Sequence, residues 1–265
     1  MRSRLSAILW LHLVRLSRYK YGFINFILVT ILWYLIYLLG ALMFVPEDEV
    51  STVAIITFWG VVLWSMMNNC VWLIAGWTWF ILVTGLAEEH IIHNVNPLLF
   101  ITGRFLTGFS VSLATIPLVV LVFISFSGYN LLSIYNPFYL VLGISLILVY
   151  ATLYALTLAS LSLRTNVPGP MLDIVNIFMY IGGGIGIPLY RMPSGLREFT
   201  LLVPYTHAAE ITRYGVLGIE PYIGLGNELI IAFVYLLIML SLTLVIVRRV
   251  VKYIRLHGVK AIGRM

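Results

Sequence analysis

Glu88, Glu89, His90 and His93 fall within six positions, and imidazole and carboxylate groups one helical turn apart can share a metal ion. A helical zinc protease needs two His at i and i+4 with a Glu between them. Here the two His stand at i and i+3 with Ile91 and Ile92 between, so a solvated helix end is the stronger reading. His207 and Glu210 repeat the three-residue spacing, and satisfied polar groups at a helix N-terminus account for them as well as a metal does. The run Gly182-Gly183-Gly184-Ile185-Gly186 lacks the Lys and Ser or Thr with which a phosphate loop cradles nucleotide, so its role is close helix packing or a break. Cys70 is the only cysteine, which excludes an intrachain disulfide and a cysteine-based metal cluster. What remains are polar residues embedded in apolar runs: Asn68 with Asn69, and Asp173 with Asn176 one turn further on. Such groups are costly in a bilayer and are functional candidates for that reason. Hydrogen bonding between helices is the first expectation for the two Asn, and Asp173 reads as a hydrated acid near a helix start, favoured by the helix dipole.

The elements that position these residues are membrane spans. Of 265 residues 62% are apolar and 10% charged, against roughly a quarter charged in a soluble domain, too few to coat a water-facing surface. Residues 1–20 read as an amphipathic helix lying in the membrane interface, with Leu5, Leu9, Leu13 and Leu16 opposite Arg4, Arg15 and Arg18. Apolar runs then predict spans over 22–45, 52–86, 105–126, 138–163, 171–189 and 229–247. The second is expected to be one long helix overshooting the bilayer toward Glu88 and Glu89. Between the last two, prolines at 193, 204 and 221 divide residues 190–226 into short amphipathic stretches. The expected fold is all-α and integral to the membrane, a single domain over residues 1–265 with no internal repeat.

An even number of crossings puts both termini on one side. With the termini cytoplasmic, that side carries thirteen of the sixteen basic residues, leaving Arg191, Arg197 and Arg213 outside, as the positive-inside bias requires. The net charge of +6 is therefore distributed as span flanks, and nothing in it calls for nucleic acid. Tyr190, Tyr205, Tyr214 and Tyr222 suit an outer interfacial belt or an amphiphile exit path, the belt being the first expectation for any single Tyr. The absence of Gln beside a single Cys is a composition that thermophilic sources favour.

The stretch from Ile181 to Gly218 combines a glycine-rich span end, Ile187-Pro188, Met192-Pro193, then Val203-Pro204-Tyr205-Thr206 with Glu210, Arg213 and Leu217-Gly218. That order resembles the permease subunits of type-2 ATP-binding-cassette (ABC) transporters. The resemblance implies two short re-entrant helices after the fifth span, carrying Pro193, Pro204, Thr206, Glu210, Arg213 and Gly218. It also implies that residues 1–20 are a connecting helix and that the segment from Glu88-Glu89 to Asn96-Pro97 touches an ATPase, with Glu88, Glu89, His90 and Asn94 at the contact. Two positions depart from the pattern: Val203 stands where an Asn is usual, and Gly-Thr does not follow Glu89.

On that resemblance the chain is a multi-pass permease of a prokaryotic cell membrane. It binds no cofactor and has no catalytic site or metal of its own. It pairs with a second permease, identical or related, and with two ATPase subunits that hold ATP and Mg. Its substrate would be an amphiphilic or hydrophobic compound such as a drug, lipid, lipid-linked glycan or peptide, with Asn68, Asn69, Asp173 and Asn176 as transport-path candidates. The alternative is a secondary carrier or channel independent of ATP, in which Asp173, Asn68 and Asn69 form an ion or proton site.

Overall fold

The computed structural model describes residues 6–7, 10–11, 13–14, 17–43, 45–93, 116–118, 120–125, 130–165 and 169–257, and among them there are helices and no strand. Helix α1 covers Lys20–Leu42 and stops ahead of Pro46-Glu47-Asp48-Glu49. Helix α2, Val50–Val83, has 34 residues, about 50 Å against a hydrocarbon core of about 30 Å, so it overshoots as its apolar length predicts. Its one irregularity is a π-helical segment, Trp72–Gly76. A Cβ at position 76 would meet the Trp72 ring at 2.5 Å, so the absent side chain at Gly76 makes room for that indole. Helix α2 stops three residues short of the expected end at position 86. Gly85 adopts φ 74°, where a side chain would be strained, and a separate helix α3, Leu86–Ile92, carries the two acids.

Helix α4, Ile116–Ser125, is the described part of the expected third span. Helix α5, Pro137–Thr165, starts with Pro in its first turn, and the Asn136 side chain accepts from Phe138 N at 3.0 Å. Helix α6, Gly169–Gly182, is shorter than the expected span 171–189. Fourteen residues reach only about 21 Å. Gly184 at φ 63° turns the chain out of the helix, and Pro188 prevents its resumption. A 3₁₀ turn at Leu189–Arg191, helix α7 at Ser194–Thr200 and helix α8 at Pro204–Leu217 follow. Helix α9, Leu225–His257, exceeds the expected 229–247 at both ends, at the C-terminal one because Arg and Lys continue a helix as readily as Leu does.

Among the described residues four helices, α1, α2, α5 and α9, are long and apolar enough to cross a membrane, while α4 and α6 are shorter. Their outward faces are apolar too: Leu28, Leu32, Trp33 and Ile36 on α1 and Ile230, Phe233, Leu237 and Leu244 on α9 are exposed. Lipid solvates such faces and water does not, so the protein is an all-α membrane protein.

Three apolar clusters stack along the bundle. At one end Tyr34 and Leu38 of α1 pack with Phe58 and Trp59 of α2, Phe123 of α4, Leu140 of α5 and Val216 of α8. In the middle Met67 and Cys70 of α2 meet Ile147 and Tyr150 of α5, Tyr205 and Ala208 of α8 and Ala232 of α9. At the opposite end Ile74 and Ile81 of α2 meet Ala159 and Leu163 of α5, Leu172 of α6 and Val250 of α9. Helices α2, α5 and α9 therefore run in one direction. Contacts from Tyr150 Oη to Ala232 O, from Thr157 to Thr243 and from Arg164 to the Tyr253 ring mark successive levels along α5 and α9. Helix α6 climbs from Leu172 to the middle, and α8 climbs from Tyr205 in the middle to Val216 at the first end. Two half-length helices thus together run past all three clusters, with segment 183–203, which includes α7, between them.

Glycine lets α8 lie directly on α5. A Cβ at Gly143 would come within 2.8 Å of Thr212 N and 2.9 Å of Ala208 O, and one at Gly215 within 2.7 Å of Leu140 Cα. Asn136 N and Tyr135 N donate to Gly215 O and Val216 O at 2.7 and 3.1 Å, closing the exposed carbonyls at the end of α8. Gly218, at φ 69°, ends that helix with its N–H on Tyr214 O.

Candidate functional site

An irregular backbone inside a membrane protein must find partners for every peptide group it exposes, and only protein or trapped water can supply them. Segment 183–203 finds them partly in backbone turns and α7 and partly in side chains. Arg213 of α8, 5% exposed, donates to Glu210, to Gly184 O and, at 2.8 Å, to Ile185 O. Glu210, 4% exposed, also accepts from Leu189 N at 3.3 Å. The Thr206 hydroxyl lies 2.7 Å from Thr200 O and 3.0 Å from Gly183 O. Arg197 of α7 donates from Nε to Leu189 O at 3.0 Å and from its terminal nitrogen to Met192 O at 2.8 Å, and its guanidinium rests 4.7 Å above the Tyr222 ring. Tyr235 of α9 donates to Leu202 O at 3.1 Å.

A second buried pair closes the network. His207 Nε2 lies 3.0 Å from Leu201 O, which can only accept, so that nitrogen carries a proton. His207 Nδ1 then meets Glu228 Oε2 at 2.6 Å, and one further proton must lie between them. The pair is net neutral, whether imidazolium with carboxylate or imidazole with carboxylic acid. Tyr235 stacks on the imidazole at 5.5 Å, which fixes the ring plane. The spacing His207–Glu210 is thus not a shared site: Glu210 faces Arg213, and His207 faces a residue on another helix. Among the described residues no group of three or more His, Cys, Asp or Glu could hold a metal.

The six residues picked out in the sequence between positions 193 and 218 belong to this one substructure. Pro193 precedes α7, Pro204 opens α8 and Gly218 closes it, while Thr206, Glu210 and Arg213 point into the irregular segment. The tyrosine belt needs a correction. Tyr190 and Tyr222 are exposed, but Tyr205 is 1% exposed and packs edge-on against Tyr150 at 6.0 Å, because the first turn of α8 lies at mid-bundle. Glu228, Gly143 and Gly215 were not picked out as site residues by sequence, and Arg197 was named there only among the outer basic residues; the acid at the start of a span could have flagged Glu228.

The polar residues of the spans meet where α2 faces α6. Asn176 Nδ2 donates to Asn68 Oδ1 at 2.9 Å, and Trp72 Nε1 donates to Asp173 Oδ1 at 2.9 Å. Asn69 is half-buried on the same helix. Asp173 is not in the first turn of α6, so the indole partner, rather than the helix dipole, accounts for its placement. Asn176 is 2% exposed and its Oδ1 has no partner among the described residues. The patch adjoins the π-helical segment, and Tyr37, Trp64 and Tyr180 meet edge-on or tilted beside it with centroids 5.4 to 6.0 Å apart.

At the far end Glu88 and Glu89 are exposed on α3, and neither forms an ion pair among the described residues. Asn94 and the side chain of His90 lie outside the described residues. At the opposite end Arg191 bonds Glu49 at 2.7 Å, joining the α1–α2 loop to the segment after α6. Partial burial works against the cation, but the Glu49 carboxylate and the Tyr190 side chain outweigh it and hold the Arg191 pKa above the ordinary arginine value. No protein-family model matches the chain, and none of the curated proteins compared with it matches it in sequence.

Proposed function

We propose that the chain is the permease of a type-2 ABC exporter, moving an amphiphilic or hydrophobic compound with energy from ATP hydrolysed on separate subunits. The observation that supports this reading is the divided crossing: α6 ends at Gly182, two short helices follow, and Thr206, Glu210 and Arg213 hold the irregular segment between them. That is the order of elements and polar residues by which the chain resembles such permeases. In this reading α7 and α8 are the re-entrant helices, and the end bearing Glu49 and Arg191 faces outward. Glu88, Glu89, His90 and Asn94 face the ATPase, and the patch of Asn68, Asn69, Asp173 and Asn176 borders the path at the contact with a second permease.

The test is purification of the tagged chain from its native membrane. An ATP-binding subunit should co-purify, and ATP turnover should accompany that subunit and be absent from the isolated chain. Turnover by the isolated chain, or transport by it alone in sealed vesicles, overturns the proposal. The second outcome would favour an ion-coupled carrier, for which the Asp173–Trp72 and Asn176–Asn68 contacts offer polar groups at the level of the spans. Asp173→Asn would then abolish uptake driven by a pH gradient.

A further inference from the structure

The last ten residues of α9 carry charge where the rest of the helix carries apolar surface. Leu229–Val247 is an uninterrupted uncharged run of 19 residues, about 28 Å long, which matches the hydrocarbon core. Arg248, Arg249 and Lys252 then stand roughly 2, 3 and 8 Å beyond that run. The polar layer on each side of a bilayer is about 5–8 Å thick, so all three begin within it.

Which way they point is set by helical spacing. Leu244 and Val245 are exposed on the outer face of α9, and Arg248, Arg249, Lys252 and Leu256 continue that face at intervals of three and four, all exposed. The opposite face, with Ile246, Val247, Val250, Val251 and Ile254, packs on the bundle. The basic residues therefore extend a stripe whose apolar part is solvated by acyl chains. Arg164, exposed at the end of α5, joins them by lying 4.9 Å over the Tyr253 ring, one turn from Arg249. None of the four forms an ion pair among the described residues. The acids at this end, Glu88 and Glu89 on α3 and Asp173 on α6, are not within salt-bridge distance of them.

We propose that Arg248, Arg249, Lys252 and Arg164 form a binding surface for the phosphate of an anionic phospholipid. Charge complementarity and continuity with the acyl-facing stripe identify the occupant. Bidentate guanidinium groups suit phosphate, and a lipid in this place satisfies both halves of the stripe at once. The inference rests on α9 crossing a bilayer and is independent of the transport reading.

The test uses the full chain purified in a neutral detergent, with bound lipids counted by native mass spectrometry as phosphatidylglycerol or phosphatidylcholine is added. The parent chain should retain phosphatidylglycerol in preference, and Arg248→Gln/Arg249→Gln/Lys252→Gln should lose that preference by on the order of 100-fold, from about fivefold per charge near the surface. The charge-preserving Arg248→Lys/Arg249→Lys should keep most of it, which separates lost charge from lost folding. Equal retention of the two lipids, or an undiminished preference in the Gln variant, overturns the proposal. So does suppression of the preference by millimolar inorganic phosphate, which would make the surface a free-anion site. A change from dimer to monomer in the Gln variant at fixed lipid content would assign the face to a second copy of the chain and refute the lipid assignment equally.

Discussion

Removing the Arg213 guanidinium while leaving Glu210 in place should destabilise the protein more than any surface change can. In Arg213→Met the Glu210 carboxylate, 4% exposed, keeps only the Leu189 N–H at 3.3 Å, and the carbonyls of Gly184 and Ile185 lose their donor. Breaking one partner out of a buried ion pair costs about 3–5 kcal/mol, and the orphaned carbonyls place the expectation toward the upper end. In Glu210→Gln/Arg213→Met no buried charge remains and only the carbonyl partners are lost, a cost of about 2 kcal/mol. Set against about 5 kcal/mol for Arg213→Met alone, the double variant should therefore fall short of additivity by about 3 kcal/mol plus whatever Glu210→Gln costs by itself, well above the ~0.5 kcal/mol scatter of independent sites. The assay is a double-mutant cycle on equilibrium unfolding in mixed micelles, followed by tryptophan fluorescence. Additivity within that scatter would mean that Glu210 and Arg213 do not share charge, and the account of segment 183–203 would fail with it.

Gly215→Ala should lower the unfolding temperature by several degrees, since its Cβ would meet the Leu140 backbone and overpacking costs about 1–3 kcal/mol. Gly40→Ala, in the last turn of α1 with nothing within 4 Å, should be neutral or gain up to about 1 kcal/mol. An equal response at the two sites would show that α8 does not lie directly on α5. Reversing Glu88 and Glu89 to Lys should weaken association with an ATPase subunit or uncouple its hydrolysis from transport, with insertion and permease pairing intact; unchanged pull-down and transport would show that these exposed acids contact no partner. Asp48→Cys, in the α1–α2 loop, should react with an impermeant maleimide in intact cells once Cys70, which is buried, is set aside as a control. Labelling only after the membrane is opened would invert the assignment of sides.

The all-α membrane class, and the approximate courses of α1, α2, α5 and α9, were legible in the sequence because both follow from runs of apolar residues bounded by proline and charge, a signal that is local and one-dimensional. The placement of Pro193 and Pro204 at helix ends was legible for the same reason: each acts on the backbone beside it. Where a helix ends beyond its apolar run was not legible, as α9 shows, because helical hydrogen bonding continues through Arg and Lys while hydropathy stops at Val247. The break at Gly182 and the burial of Tyr205 depended on packing too. Residues 183–203 could leave the helix because Arg213, Thr206 and Tyr235, brought from later positions, and Arg197 within the segment satisfy carbonyls that leaving exposes. The pairing of His207 with Glu228, 21 residues on, rather than with Glu210, three residues on, was decided by the same stage. Which acid a buried base meets depends on how α8 and α9 cross, a property of both surfaces together that no single stretch of chain contains.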